Sequence, residues 1–112
     1  MSCNNNSCSS PRLITNQIDM KWIASGSEVF PFISDQIAAI SGYVLNNASS
    51  LGPVTIYFLR GGLGGLPLPF ILTVQPGEYK SFTIVGADVI QVNPGGYFAT
   101  GELNITINFN PF

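Results

Sequence analysis

The chain has 112 residues, 46% of them hydrophobic and only 9% charged, with a net charge of −2; charged residues usually make up about a quarter of a globular chain. Its cations are Arg12, Lys21, Arg60 and Lys80, too scattered to bind phosphates, which excludes nucleic acid as a partner. It contains no histidine, which removes the usual general base, the commonest metal ligand and every Ser–His or Cys–His nucleophile pair.

Residues 1–11 are rich in Asn and Ser and end at Pro11, a composition that predicts a flexible arm. Both cysteines, Cys3 and Cys8, lie in this arm and the remainder of the chain has none. They can bridge to each other, closing a loop too short to constrain much. They can also remain reduced, or reach another molecule and make the arm a covalent tether between subunits. The N-terminus lacks a basic start followed by an apolar core, so no secretory signal is expected. No apolar run reaches the roughly 18 residues that a spanning helix needs.

Beyond the arm, apolar and polar residues alternate with a period of two between turn signals. Residues 12–24, with Leu13, Ile14, Ile18, Met20 and Trp22, predict a long first strand. A short strand over 28–33 contains Pro31, which assigns it to an edge because Pro cannot donate to a ladder. A strand over 37–46 runs into the loop Asn46-Asn47-Ala48-Ser49-Ser50, and another follows over 53–60. Gly61-Gly62-Leu63-Gly64-Gly65 predicts a turn or loop. The strand over 68–75 ends at Gln75-Pro76-Gly77-Glu78, with Pro and Gly where a type II turn places them. Strands over 79–85 and 88–93 come next, with Asp35 and Asp88 read as loop positions. After Asn93-Pro94-Gly95-Gly96 the closing strand alternates Leu103, Ile105, Ile107 and Phe109 with Asn104, Thr106, Asn108 and Asn110. These are eight segments, so the expectation is an all-β domain over residues 12–112, an eight-stranded jelly-roll β-sandwich.

The inventory for catalysis is missing. Asp19, Glu28, Asp35, Glu78, Asp88 and Glu102 are spread along the chain and read as turn or solvated-face residues, so no enzyme is expected. Cys3 and Cys8 supply half the ligands of a structural zinc site and nothing completes it, so neither metal nor cofactor is expected. The glycine cluster 61–65 lacks the Lys and Ser/Thr of a phosphate loop. Trp22, Tyr43, Tyr57, Tyr79 and Tyr97 offer the alternative of a carbohydrate-binding module, although Trp22 reads first as a core residue. A surface so poor in charge favours association with copies of itself.

The Cys-bearing arm, the segment Gln75-Pro76-Gly77-Glu78-Tyr79-Lys80-Ser81-Phe82-Thr83-Ile84 and the ending Thr100-Gly101-Glu102-Leu103-Asn104-Ile105-Thr106-Ile107-Asn108-Phe109 resemble the endospore appendage subunits of spore-forming bacilli. That resemblance spans nearly the whole chain. It implies a jelly-roll subunit of an extracellular, spore-surface pilus whose partner is itself, joined laterally by sheet augmentation. It also implies that residues 1–11 are a connector, with Cys3 and Cys8 its cross-linking thiols. Because the body has no cysteine, the implied bonds run from arm to arm, as suits the stacked-ring, ladder-like members.

Overall fold

The computed structural model describes residues 14–109; the arm expected over residues 1–11, with Cys3 and Cys8, lies outside them. The described residues form β1 (Ile14–Ser25), β2 (Val29–Asn46), β3 (Val54–Arg60), β4 (Leu66–Val74), β5 (Tyr79–Asn93) and β6 (Phe98–Phe109), with no helix among them. The strands make one antiparallel sheet in the order β1-β6-β2-β5-β3-β4.

The all-β reading stands, but the eight expected segments are six strands. Segments 28–33 and 37–46 are one strand, β2, and segments 79–85 and 88–93 are one strand, β5. The polar or small residues that look like breaks are bends in continuous extended chain. Between the pairs Ile33↔Val89 and Ala38↔Ala87, residues 34–37 of β2 face the single residue Asp88 of β5. The strand on the outside of a bend needs the longer path. One step further, Ala38 and Ala39 pair with Ala87 and Val85, which leaves Gly86 bulged at φ 94°. A bulge of this kind needs φ > 0, which glycine adopts without steric cost. Asp35 and Asp88, expected in loops, therefore lie within strands, Asp35 exposed and Asp88 buried.

The bend folds the sheet over its own apolar face. Residues 38–46 of β2 and 79–87 of β5 join β6 and β1, whereas residues 29–33 of β2 and 89–93 of β5 join β3 and β4. The core between the two halves holds Ile40, Val44, Leu103, Ile105 and Ile107 from one side and Val54, Ile56, Phe58, Ile90 and Val92 from the other. Burial on β1 alternates strictly: Trp22 and Ala24 are buried while Asp19, Lys21 and Ile23 are exposed. This is the half-buried antiparallel pattern read from the sequence.

Asn46 locks one end of the fold. Its side-chain amide donates to the carbonyls of Gly52 and Val74 at 3.1 and 3.0 Å. Its backbone N–H donates to Glu78 O and its own carbonyl accepts from Gly77 N. One buried residue thus fixes both the loop after β2 and the expected 75–78 turn, where Gly77 has φ 82°. The amide nitrogen and the backbone of Asn46 are thus satisfied, whereas its Oδ1 is buried without a hydrogen-bond partner among the described residues.

Candidate assembly surface

A strand exposes unpaired N–H and C=O groups wherever one flank has no neighbour. Among the described residues four stretches do so. β1 pairs only with β6, β4 only with β3, residues 29–33 of β2 only with β5, and residues 79–85 of β5 only with β2. Bending the sheet doubles its edges from two to four.

The sequence treats these edges differently. β4 carries Pro67 and Pro69, and residues 29–33 contain Pro31; proline removes a donor and blunts an edge. β1 carries Asp19 and Lys21 on its exposed face, a second protective device. The β5 edge carries Lys80 near its start, and beyond it residues 81–85 have neither proline nor charge, with outward side chains Ser81, Thr83 and Val85 exposed. The edges also surround exposed apolar side chains. Leu66 and Ile71 lie on β4, Ile33 and Ile37 on β2, Ile23 on β1 and Val85 on β5.

Where β2 and β5 bend, an open cleft of about 450 Å³ is lined by Ile37, Ala38, Ala39, Arg60, Val85, Gly86 and Asn108. Behind it, the Asp88 carboxylate accepts from the N–H groups of Gly61 and Gly62 at 3.1–3.2 Å. The glycine cluster that follows β3 is therefore held by an internal carboxylate. Both glycines have φ > 0 (107° and 84°), which turns their successive amides toward the anion. This role for Asp88 was not legible in sequence because its partners lie 26 and 27 positions away.

The remaining carboxylates do not converge. Glu78 accepts from Gln75 N within its own turn, Asp19 accepts from the Asn104 side chain, and Glu102 lies opposite Lys21. Among the described residues no three His, Cys, Asp or Glu side chains form a group able to hold a metal. Of the aromatics, Trp22 is buried in the core and the Tyr97 ring lies against Gly52. Among the described tyrosines only Tyr43 and Tyr79 meet, edge to face with centroids 5.8 Å apart. No described helix is long and apolar enough to cross a membrane.

The family model of the endospore appendages matches residues 1–110. Among solved structures, one described as Bacillus endospore appendages, a family of disulfide-linked pili, aligns with a TM-score of 0.79 at 26% identity, covering 98% of this chain and 96% of that one. A crystal structure of PirA covers 95% of this chain and 100% of that one at 14% identity, with a TM-score of only 0.40. No curated protein matches the sequence.

Proposed function

The chain belongs to the endospore appendage family, and from that membership we propose that it is the structural subunit of a spore-surface pilus, built from copies of itself and performing no catalysis. Its bent sheet serves as the two four-stranded layers of a jelly roll, in the orders β1-β6-β2-β5 and β2-β5-β3-β4. Neighbouring subunits continue one another's sheets laterally, and residues 1–11 tie successive layers together through intermolecular disulfides of Cys3 and Cys8.

The single observation that carries this reading is the set of four unpaired sheet edges on a charge-poor domain whose fold matches that of disulfide-linked pili. Edge pairing supplies main-chain hydrogen bonds without a preformed pocket. A heterologous contact repeated from copy to copy closes into a ring or winds into a helix, according to its rotation. The tethers then join layers at high effective concentration, so weak lateral contacts act together. Neither metal nor cofactor is needed for any step. The disulfide-linked pili that the chain is similar to also support an extracellular site, where disulfides persist.

The purified chain is examined by negative-stain microscopy and on a non-reducing gel, with and without reductant. Regular rings or fibres, with a disulfide ladder on the oxidised gel, are expected. Cys3→Ser/Cys8→Ser protein is expected to keep lateral rings and lose resistance to heat and detergent along the fibre. Strictly monomeric oxidised protein with free thiols overturns the reading, as does a double variant whose fibres are equally resistant.

A further inference from the structure

The outward face of β1, β6, β2 and β5 carries a feature beyond its backbone edges. In register across this face run two rows: Tyr79, Leu45, Glu102 and Lys21, then Ser81, Tyr43, Asn104 and Asp19. Directly opposite residues in antiparallel strands share a face, with Cβ atoms about 4.5–5.5 Å apart. At the β5 end, Tyr43, Leu45 and Tyr79 line a shallow hollow of about 370 Å³. Tyr79 is 65% exposed, and its ring meets Tyr43 at an interplanar angle of 66°. The rings meet edge to face rather than stacked, and the exposed Tyr79 keeps ring surface in solvent.

We propose that this hollow is a binding site for a neutral oligosaccharide, with Tyr79 and Tyr43 as the apolar platform and Ser81, Asn104 and Glu102 as hydroxyl partners. A sugar ring has an apolar face of C–H groups and a rim of hydroxyls that both donate and accept. The rows supply the complement to each. Tyrosine provides a rigid amphipathic surface with its own hydroxyl. An amide, a hydroxyl and a carboxylate one strand away together accept and donate. The Asn104 amide is oriented by its bond to Asp19, so one partner is positioned before a ligand arrives. The volume falls within the range of about 300–1,000 Å³ common for small-molecule sites. The other tyrosines cannot serve, because Tyr97 lies against Gly52 and Tyr57 stands on β3, in the other half of the sheet.

Tyr79 and Ser81 belong to the free β5 edge, but edge pairing uses backbone groups and the site uses side chains of the sheet face, so binding and assembly are read separately. Saturation-transfer NMR is recorded on the full-length chain with cellotetraose, chitotetraose and maltotetraose in turn, and the same samples are viewed by microscopy. Ring-proton transfer to at least one tetrasaccharide is expected. Tyr79→Ala and Tyr43→Ala are expected to weaken it about tenfold, Tyr79→Phe to restore most of it, and Tyr97→Ala to leave it unchanged. The proposal is overturned if no tetrasaccharide receives transfer at millimolar concentration, or if Tyr97→Ala lowers transfer as much as Tyr79→Ala does. Fibres without transfer sink this site and leave assembly intact, and transfer without fibres does the reverse.

Discussion

The rings of Phe58 and Phe82 lie with centroids 4.9 Å apart, although Phe58 sits opposite Ile90 and Phe82 is eight positions before Ile90 on the same strand. A straight strand would separate those positions by about 26 Å. The contact therefore exists only because β5 turns over at Gly86, and Phe70 joins it at 5.8 Å from Phe58. Phe58→Ala and Phe82→Ala should each cost about 3–5 kcal/mol. A double-mutant cycle should return about 0.5–1.5 kcal/mol of coupling for the ring pair. Denaturant unfolding of the four proteins measures both, and additive single effects would mean that the rings do not act together.

This same contact shows where sequence reading stops. The alternation on β1 and β6 fixed which side chains face the core, because a half-buried strand has a period of two and the strands keep it from Gln17 to Ser25 and from Phe98 to Asn108. The turn at Pro76-Gly77 was equally legible, since its geometry demands those residues. Ser34-Asp35-Gln36 and Gly86-Ala87 were not. A polar or glycine interruption marks a loop and a bend alike, and only pairing with the neighbouring strand decides between them. That pairing is long-range, as are the partners of Asp88 and Asn46. Two of the four free edges follow from the bends; Pro31 marked the one on β2 in the sequence, whereas the one on β5 carries no such residue and was not legible for the same reason.

Asn46 offers a test of how much one buried amide contributes. Asn46→Ala leaves the carbonyls of Gly52 and Val74 without their donor, and each unsatisfied buried group costs about 1–3 kcal/mol. Asn46→Asp should be worse, because an ionised carboxylate would face two carbonyl oxygens. Burial penalises the charged form, which raises the introduced group's folded pKa above its unfolded value. Its deficit should therefore grow as pH rises through the carboxyl range and shrink on acidification. Thermal unfolding at several pH values checks the sign. A deficit that does not change with pH would show that the side chain swings out to water.

Gly101 is required by contact rather than by turn geometry. A Cβ there would collide with Leu45 O and with the Trp22 ring, both held in place by the β1-β6-β2 ladder. The indole lies directly over the glycine, and the obstructing oxygen is backbone, so neither can yield cheaply. Gly101→Ala should cost at least about 1–3 kcal/mol, as overpacking does. Trp22→Phe should relieve part of that cost by removing the crowding ring edge. Tryptophan fluorescence of the single variant and calorimetric melting of both report the outcome.

Removing the anion from the Gly61–Gly62 amides should loosen the loop without unfolding the sheet. Asp88→Ala takes away charge-assisted bonds to two N–H groups, interactions that contribute about 1.5–3 kcal/mol each. Amide exchange at Gly61 and Gly62 should accelerate, while exchange at Ile40 and Ile105 in the core changes little more than the global loss predicts. Uniform acceleration across the chain would show that Asp88 supports the bend as a whole.

The β5 edge gives the sharpest test of lateral assembly. Beyond Lys80, residues 81–85 lack the prolines of β4 and β2 and the charges of β1, so one lysine in the middle of this edge extends the protection that Lys80 gives only at its start. Thr83 is exposed and points outward, hence Thr83→Lys should leave the isolated subunit within about 0.5 kcal/mol of the parent. It should still prevent sheet continuation, because a charge at a pairing edge would have to be desolvated. Thr106→Lys places the same charge on the same face, on β6, which has a partner on both sides. That variant should assemble normally. Sedimentation and microscopy of the two proteins separate an edge effect from a charge effect. If Thr83→Lys assembles and Thr106→Lys does not, the contact runs through the face of the sheet and not through its edge.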